Sequence, residues 1–426
     1  MAAFASHYAA QAPNFVELNI SLGPTGELRY PSYNGYPGSD GWRYPDRGFF
    51  QSYSALAQTS FRNWALDKFG GVAGVSARWG IPLAGPAAIR VPGGDLPPTA
   101  GRRAETFVQD NDYVDTSYGR DFIDWYNQSL VDHGRRLLVT ADEVFSGPFK
   151  SIPLSMKIPG VHWQMMPCAP RPRIAEITAG LLQTTLDLRP VSSARADGYG
   201  YKRIVDMVAD VRNQTGREVI LHFTAAEMDN DPACGQGNSM ADALVFWIAE
   251  AAQDSAIPTK SENALACVNQ PGDDRSWESI RNVFANSAYR GFTLLRLVEN
   301  GCNPWGTDRE AYASFIRDFG APQSGLVVHV AEWQFCPQAQ GCRYAIQTWN
   351  GINGSFPMTY EGNFNGRHWW VGTVAGAPDQ LSFTFNNNFN WEGGPGQFDR
   401  TYTRSTQGNE IFAIGRQNTT VYSSRP

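Results

Sequence analysis

The sequence predicts a large domain of parallel α/β type, followed by a small domain made only of β-strands. The first observation behind this prediction is an alternation of strand-like and helix-like segments that continues to about residue 320. The second is a change of character after residue 324, beyond which helical periodicity is absent. The third is the polar content of the predicted strand ends, where Glu, Lys, His, Arg and Asn collect although a purely structural strand end does not need them.

The strands and helices of the large domain follow one another in order. Strand-like alternation or apolar runs occupy five segments, residues 15–22, 152–158, 218–224, 258–264 and 291–297. Helical periodicity occupies six segments, residues 50–69, 121–145, 201–212, 240–254, 277–285 and 309–319. This order predicts a parallel sheet with helices packed on its faces, and in such folds the functional side chains follow the carboxyl ends of the strands.

The small domain is predicted to be an all-β sandwich over residues 323–426, which leaves residues 1–322 for the large domain. Its segments are short, are separated by Gly- and Asn-rich turns, and contain five tryptophans, Trp333, Trp349, Trp369, Trp370 and Trp391. Neighbouring side chains point to opposite faces of a strand, so we expect one of Trp369 and Trp370 to face inward and the other outward.

The composition excludes several classes of function. The net charge of −6 and the absence of a basic run argue against a nucleic-acid partner. No apolar run approaches the ~20 residues that a membrane-spanning helix needs. The 13 Trp and 17 Tyr favour a neutral glycan, because aromatic rings stack on the apolar faces of sugars. For most of these aromatic residues taken singly, packing in a core is the simpler interpretation.

The six cysteines lie in predicted loops, and an even number of loop cysteines is typical of an oxidising compartment. Cys336 and Cys342 are close enough in sequence for a local disulfide. The other four follow predicted strands, and one arrangement pairs them as Cys168–Cys234 and Cys267–Cys302. Free buried thiols are the alternative interpretation.

Two glutamates are the strongest candidates for acid–base chemistry. Hydrolysis of a glycosidic bond needs a protonated carboxylic acid for the leaving oxygen and a second carboxylate that activates water or attacks the sugar. Glu27 and Glu262 both follow predicted strands, and these strands are different ones. Glu17 lies in the middle of a strand and Glu227 lies beyond a strand end, so both fit less well. The alternative is that Glu27 and Glu262 only form ion pairs with Arg or Lys residues at the strand ends.

Five sequence blocks accompany the predicted strands. The longest is GPTGELRYPSY at residues 23–33. The other four follow it in chain order: KIPGVHW at 157–163, FTAAEM at 223–228, ENAL at 262–265 and GFTLLR at 291–296. In sequence and in order these blocks resemble the β-amylases, glycoside hydrolase family 14, and the first is similar to the signature around that family's general acid. Stretches at 48–53 and 61–66 favour the bacterial type.

The resemblance implies a role for each matched position. Glu27 would be the general acid, and Glu262 the general base that activates water on the opposite face of the sugar ring. Thr224, on an inner loop that changes conformation with ligand, would help to hold Glu27 after its proton leaves. The other implied positions bind sugar or flank the acid: Lys157, His162, Trp163, Asn263, Ala264, Arg296 and Tyr33. At Thr25 the chain departs from the family, which commonly has Ala there, and the change adds a hydroxyl beside the acid.

The implied activity is that of an inverting exo-hydrolase, a 4-α-D-glucan maltohydrolase that releases β-maltose from the non-reducing ends of starch and related glucans. The implied partners are starch and maltooligosaccharides. The protein itself is expected to be a monomer. No cofactor is implied, and the six scattered His and the lack of an Asp-rich loop predict no metal site. An endo-acting amylase is disfavoured because its catalytic motifs are absent.

The tail resembles a starch-binding module, most nearly carbohydrate-binding family 25. The resemblance lies at residues 344–349, 368–370 and 385–391 and is less specific than that of the large domain. It implies that Trp349 and Trp391 are exposed platforms for sugar rings. Packing in the core is the alternative for each.

The resemblance also implies an incomplete barrel. A (β/α)8 TIM barrel has eight strands, whereas the chain has five predicted strands that match strands 4–8 of the family. The first three βα units would be absent, with the lid loop and part of the non-reducing-end subsite. We therefore expect either a secreted hydrolase whose signal peptide belongs to the absent part, or a truncated, catalytically impaired starch-binding protein. Exposed sheet edges would favour association of such a barrel.

Overall fold

A computed structural model describes residues 1–32, 50–92, 107–108, 110–165, 172–183, 201–231, 233, 239–264, 275–295, 311–312, 314–320, 325–332, 344–364, 366–375, 380–387, 390–391, 398–407, 410–415, 419–422 and 425–426. The chain divides into two compact units. The first contains Met1–Val191, Ala196–Leu221 and Asn230–Ala241, and the second contains Ser192–Arg195, His222–Asp229 and Asp242–Pro426. All six cysteines, and with them the predicted disulfides, lie outside the described residues.

The first seven strands form one large and one small sheet. Their bounds are β1 Leu18–Ile20, β2 Leu154–Ile158, β3 Val219–Thr224, β4 Asn230–Asp231, β5 Ser239–Met240, β6 Thr259–Glu262 and β7 Tyr289–Thr293. The large sheet has the order β1-β2-β3-β6-β7, and the pairs β1–β2 and β6–β7 are parallel. The short strands β4 and β5 pair with each other. All five strands predicted for the large domain are present. Four lie within their predicted bounds, whereas β7 begins two residues before the predicted segment 291–297 and ends four residues before its end.

Helices follow these strands as the sequence predicts. In the first unit they are α1 Ala2–His7, α2 Ala55–Phe69, α3 Val72–Trp79, α4 Asp112–Asp115, α5 Ser117–Val144, α6 Ile174–Thr178 and α7 Lys202–Thr215. The helix predicted at residues 50–69 begins only at Ala55, because Ser54 caps it by accepting a hydrogen bond from the Ala57 amide at 3.1 Å. It ends at Gly70, which has the left-handed φ of 74° that favours glycine. No helix in the described part of the chain is long and apolar enough to span a membrane.

The long helix α5 organises the first unit. Phe122 and Tyr126 project from it into an aromatic core that also contains Phe61. At Gly134 the helix approaches the chain segment that follows β1, and a Cβ on this residue would lie 2.9 Å from the Leu28 side chain. A Cβ at this position would displace the ends of the Leu28 and Met207 side chains.

The second unit contains two further helices of the α/β region, α8 Ala241–Asp254 and α9 Arg275–Asn286. The Tyr289 hydroxyl at the start of β7 donates to the Val245 carbonyl of α8 at 3.0 Å. The helix predicted at residues 309–319 is only partly confirmed. Its described residues up to Phe315 are α-helical, but Ile316–Gly320 forms a π-helical turn.

The C-terminal region is all-β, as predicted. Its strands are β8 Gly325–Glu332, β9 Tyr344–Trp349, β10 Gly354–Phe364, β11 Arg367–Ala375, β12 Gln380–Asn387, β13 Asn390–Trp391, β14 Arg400–Thr403, β15 Glu410–Ile414 and β16 Val421–Tyr422, with a short helix α10 at Arg404–Gln407. They form one hydrogen-bonded sheet in the order β13-β12-β9-β10-β11-β8-β15-β16, with β14 on β12. The predicted sandwich would have two separate sheets. Here β9 pairs with both β10 and β12 and so joins the strands into one.

The prediction for the adjacent tryptophans is half right. Trp370 lies in the main core of the β region, whereas Trp369 lies in a separate cluster with Ala331 and Phe412, so the two rings do face opposite ways. The expectation that one of them points outward is wrong, because Trp369 and Trp370 are 0% and 1% exposed. Trp369 is covered because the Arg425 guanidinium lies 5.0 Å from its ring and Phe412 packs against its edge.

A charged cluster accompanies Trp369 on this side of the sheet. The His329 ring is hydrogen-bonded to Glu361 through Nδ1 at 2.7 Å and to Glu410 through Nε2 at 3.0 Å. Arg425 donates to the other oxygen of Glu361 at 2.5 Å. Burial alone would raise the pKa of Glu361, but the hydrogen bonds and charges of His329 and Arg425 outweigh burial and lower it.

We predict that Glu361 stabilises the β region at neutral pH and not in acid. A carboxylate whose folded-state pKa is lowered adds stability above its unfolded pKa, and this stability is lost as the pH falls through the folded pKa. Glu361→Gln should lower the free energy of unfolding at pH 7 by about 1 kcal/mol, and by much less at pH 3. Urea unfolding followed by tryptophan fluorescence measures this. Glu410→Gln, at a side chain that is 62% exposed, is the matched control and should cost less; an equal loss at both pH values would contradict the prediction.

Candidate active site

The segment that carries Glu27 continues the pairing of β1 with β2. Beyond β1 the chain makes a turn at Pro24–Gly26 and then rejoins β2 through a parallel bridge between Glu27 and Lys157. The Leu28 amide donates to the Lys157 carbonyl at 2.7 Å. The turn needs Gly23, because a Cβ there would lie 2.6 Å from the Glu27 carbonyl oxygen. Glu27 therefore lies at the carboxyl end of the sheet, where the sequence predicts it.

One carboxylate oxygen of Glu27 is held by two donors. The Arg29 Nε donates to Oε2 at 2.8 Å and the Thr25 hydroxyl lies 2.9 Å from the same oxygen. The side chains of Glu27 and Arg29 are only 14% and 9% exposed. Among the described residues no hydrogen-bond partner is found for Oε1. The ion pair that the sequence leaves as the alternative interpretation of Glu27 is thus present, and it engages only one of the two carboxylate oxygens.

The residues after Glu27 rest on α5 and α6. Tyr30 stacks on Tyr126 with a ring separation of 4.2 Å, and the Tyr30 amide donates to the Ala179 carbonyl at 3.0 Å. The Tyr126 hydroxyl donates to the Thr178 carbonyl at 3.0 Å and accepts from the Gln51 amide at 2.9 Å. Burial raises the pKa of Tyr126 well above its usual range, so its hydroxyl stays a neutral donor. The sequence gives no sign of this role, because Tyr126 lies in the middle of a helix.

Past the carboxyl end of β2, the chain is anchored to β5. Nδ1 of His162 is hydrogen-bonded to the Ser239 hydroxyl at 2.7 Å, and Trp163 forms an antiparallel bridge with the same residue. The Met240 amide donates to the His162 carbonyl at 3.0 Å. Both rings are partly exposed and lie nearly perpendicular to each other. The first unit therefore brings Glu27, Lys157, His162 and Trp163 to the ends of two adjacent strands.

A buried ion pair fixes both ends of this loop. Arg173 forms a bidentate pair with Glu176, in which Nη2 lies 2.6 Å from Oε1, and both side chains are fully buried. The Tyr201 hydroxyl lies 2.8 Å from the same Oε1 and 3.2 Å from the Val161 carbonyl. The Arg173 amide donates to the Gln164 carbonyl at 2.7 Å. These contacts hold the loop at the residues before and after His162 and Trp163. Sequence reasoning missed them, because the Tyr201 contacts join residues 25 and 40 apart in the chain and periodicity gives no sign of the Arg173–Glu176 pair.

In the second unit, Glu262 is the last residue of β6 and is 3% exposed. Its carbonyl accepts from the Ala226 amide at 3.3 Å. The weaker candidate, Glu227, is 2% exposed and accepts from the Ala264 amide through both of its oxygens, at 2.7 and 3.0 Å. The loop that follows Thr224, the last residue of β3, is thereby joined to the loop that follows Glu262. Glu227 is an anchor between two loops, and this explains its place beyond a strand end.

Asn263 joins the same loop to the end of β7. Its Nδ2 donates to the Leu295 carbonyl at 3.1 Å, and its Oδ1 accepts from the Leu295 amide at 2.6 Å. The amide thus holds the backbone just before Arg296. Arg296 and Tyr33 lie outside the described residues, and for Trp391 only its place in β13 is described. Trp349 is half-buried at the end of β9.

An aspartate pair lies close to the second unit's loops. Asp242 is half-buried in the first turn of α8, and burial raises its pKa to about 6, with a further contribution from the charge of Asp229. Asp229 accepts a hydrogen bond from the Ser279 hydroxyl at 2.6 Å. Within the described part of the chain, no group of three or more His, Cys, Asp or Glu residues is arranged to hold a metal ion.

Comparison with known proteins gives consistent matches. The model of the family described as "Glycosyl hydrolase family 14" matches residues 1–321. The thermophilic β-amylase of Thermoanaerobacterium thermosulfurigenes is 29% identical over 97% of this chain and 69% of its own length. The β-amylase of Bacillus cereus is 33% identical over 69% of this chain and 46% of its own length. The crystal structure of the catalytic domain of β-amylase from Paenibacillus polymyxa superimposes with a TM-score of 0.58 and 28% identity, over 75% of this chain and 67% of that one. The chain spans about half the length of several curated relatives.

We predict that Glu227→Gln loosens the loop after β6. An amide side chain keeps one acceptor oxygen but turns a donor toward the Ala264 amide, so the bidentate arrangement is lost. The expected cost is about 1–2 kcal/mol of unfolding free energy, together with faster hydrogen exchange of the Ala264 amide. Glu218→Gln, an exposed residue directly before β3, is the matched control. Unchanged exchange at Ala264 would contradict the anchor role.

We predict that Asp242→Asn stabilises the protein at neutral pH. A carboxyl whose folded-state pKa is raised above the unfolded value loses stability as the pH rises from about 4 to about 6, because the folded protein must then hold a disfavoured charge. The variant should gain on the order of 1 kcal/mol in unfolding free energy at pH 7 and close to nothing at pH 4. Chemical denaturation at the two pH values measures this, and an equal gain at both would contradict it.

Proposed function

The chain belongs to glycosyl hydrolase family 14, and we propose that it hydrolyses α-1,4-glucosidic bonds of starch from the non-reducing ends and releases β-maltose. The observation that carries the proposal is the position of two carboxylates at the carboxyl ends of two strands of one sheet. Glu27 follows β1, and Glu262 ends β6. The relatives named above are β-amylases, which supports the proposed activity.

Glu27 is the general acid of the proposed reaction. It donates its proton to the glycosidic oxygen as the bond to the anomeric carbon breaks. Glu262 is the general base, which takes a proton from a water molecule that attacks that carbon from the opposite face, so the configuration inverts. Inversion needs room for this water, and we expect the two carboxyl groups to lie about 6.5–9.5 Å apart. The deep burial of Glu262 supports this role, because a buried carboxylate can be aligned on one water molecule.

Six of the other proposed site residues lie in the described part of the chain, three in each unit. Lys157, His162, Trp163, Thr224, Asn263 and Ala264 are all proposed to contact sugar or the acid, together with Arg296 and Tyr33. The bonds of Asn263 to Leu295 refine its part, since its side chain is engaged in holding the strand end before Arg296. Thr224 is 5% exposed at the end of β3, which agrees with a place on the inner wall of the site.

The finer fold assignment is part of the proposal. We propose that the large sheet corresponds to strands 4–8 of a (β/α)8 barrel, over residues 1–322. The described strand order β1-β2-β3-β6-β7 and the parallel pairing at both of its ends support this. Secretion and a monomeric state are proposed on the resemblance. Disulfide bonds are proposed on the even number of cysteines.

The C-terminal region, residues 323–426, is proposed to bind starch, in the manner of carbohydrate-binding family 25. Along β9 the side chains alternate between buried and half-buried, and Trp349 belongs to the half-buried set with Ala345 and Gln347. Across the sheet, Trp349 is in register with Ser382. A ring beside small polar side chains on the outer side of a sheet suits stacking against a sugar. Trp391 is the second proposed platform.

Maltose release from soluble starch tests the proposed activity. We expect the chain to release maltose whose fresh product is the β-anomer by proton NMR, and Glu27→Gln and Glu262→Gln to lower kcat by at least about 1,000-fold. Glu218→Gln serves as the matched carboxyl control and should keep full activity, because Glu218 precedes β3 at the far end of the strand.

The same experiment separates the alternative. A chain that binds insoluble starch but releases no more maltose than its Glu262→Gln variant would be an impaired starch-binding protein, and the proposed activity would be wrong for it. Release of the α-anomer would contradict inversion. A fall in starch viscosity that outpaces maltose release would indicate endo-hydrolysis instead.

A further inference from the structure

The Thr25 hydroxyl lies within hydrogen-bond distance of two acceptor oxygens but has only one hydrogen to donate. Its Oγ1 lies 2.7 Å from the Pro24 carbonyl oxygen and 2.9 Å from Oε2 of Glu27. A hydroxyl carries one hydrogen and two acceptor lone pairs, so it donates to one of these oxygens at a time. Nη2 of Arg29 lies 3.3 Å from the same Oγ1 and supplies a donor to it in either arrangement.

The backbone at Thr25 is held in a costly conformation. Its φ of 55° and ψ of 19° are left-handed, a region that β-branched residues rarely adopt. Backbone strain of this kind persists where the surroundings fix it and concentrates at functional sites. A glycine, asparagine or alanine would meet the same turn with less strain, so the fold alone gives no reason for threonine here.

From this geometry we propose that Thr25 is a positioning residue for the general acid: Arg29 holds Oε2 of Glu27, so that the acid proton is carried on Oε1, and Thr25 adds a second hydrogen bond to Oε2 when that proton leaves. The inference rests on the proposed function. Arg29 always carries its positive charge and can only donate, so a proton on Oε2 would face a donor. Oε1 has no described partner and is the oxygen from which a proton can reach the substrate.

The hydrogen bond that Thr25 donates changes its acceptor during the reaction. While Glu27 is neutral, Oε2 is a weak acceptor and the Thr25 hydrogen points to the Pro24 carbonyl. When the Oε1 proton passes to the glycosidic oxygen and the glycosidic bond breaks, Glu27 becomes a carboxylate. The Thr25 hydrogen then turns to Oε2 and joins Arg29 in binding the new negative charge, and the water that attacks the sugar gives its proton to Glu262. Hydrogen bonds to ionised groups are stronger than those to neutral groups. The rotation of the Thr25 hydroxyl therefore favours proton transfer from Glu27.

The other charged groups around Glu27 do not replace this effect. Lys157 is in register with Glu27 on β2, and Nε2 of His133, on α5, is hydrogen-bonded to the Leu22 carbonyl at 2.9 Å. Asp132 and Arg136, also on α5, act on Tyr30 in the following segment. All of these groups, with Arg29, are unchanged in variants of Thr25, so a comparison among such variants isolates the hydroxyl.

The variants Thr25→Val and Thr25→Ser form the matched pair for the test. Valine keeps the shape and the branched Cβ but lacks the hydroxyl, whereas serine keeps the hydroxyl and lacks the methyl group. In Thr25→Val the alkaline limb of kcat/KM against pH should move upward by about half a pH unit, the size of one solvent-exposed hydrogen bond to an ionised group. We expect kcat below that limb to fall by about two- to fivefold with KM nearly constant. Thr25→Ser should follow the unsubstituted protein.

A second readout needs no turnover. Infrared difference spectra between each protein and the same protein carrying Glu27→Gln isolate the carboxyl band of Glu27 across the pH range. The band should convert to carboxylate at a lower pH with Thr25 or serine than with valine.

The outcomes separate the role of Thr25 from the proposed hydrolase activity. A Thr25→Val variant that matches the unsubstituted protein in both the pH profile and the infrared titration overturns the inference and leaves the proposed function intact. A shift as large in serine as in valine also overturns it, because shape would then be the cause. A chain that releases no maltose at all, yet shows the infrared difference, refutes the proposed function while the role of Thr25 toward Glu27 stands.

Discussion

The parallel pairing of the chain after β1 with β2 is the constraint from which the site follows. The hydrogen bond from the Leu28 amide to the Lys157 carbonyl resumes the ladder after the Pro24–Gly26 turn and fixes the backbone of Glu27 against β2. A strand residue in a fixed register has a fixed side-chain direction. The side chain of Glu27, Arg29 beside it and Lys157 across from it are therefore placed by one interaction. The tight approach at Gly23 leaves no room for a Cβ beside the Glu27 carbonyl oxygen, so the turn depends on glycine there.

Loops at the carboxyl ends of the strands are held by buried polar side chains. Glu176 binds Arg173 and Tyr201 below the loop of His162, and Glu227 and Asn263 bind backbone groups of neighbouring loops. Burying a polar group without a hydrogen-bond partner costs free energy. Removing either partner of one of these contacts would therefore destabilise the loop. The result is a set of strand-end loops whose backbones are fixed by contacts within the protein. Such preorganisation lowers the cost of orienting a substrate.

The C-terminal sheet has covered side chains in two separate clusters. Trp370 belongs to the main core, and Trp369 lies in a smaller cluster beneath the Arg425 guanidinium. His329 stacks on Phe412 and joins two carboxylates in the same region. A sheet protected in this way leaves only part of its surface for a ligand, and the half-buried residues of β9, including Trp349, belong to that part.

The sequence alone determined the order and type of the elements, because hydrophobic periodicity is local and the strands and helices of the large domain carry it strongly. It also identified Glu27 and Glu262 as candidates, because both lie at the ends of strands that the sequence predicts. Tertiary structure alone decided that Trp369 is buried, that Glu227 anchors Ala264 and that Tyr126 supports the segment after Glu27. Each of these depends on a partner far away in sequence, and no local pattern encodes such a contact. The ion pair between Glu27 and Arg29 lies between the two cases: both residues are visible in the sequence, but only the folded turn brings Thr25 to the same oxygen.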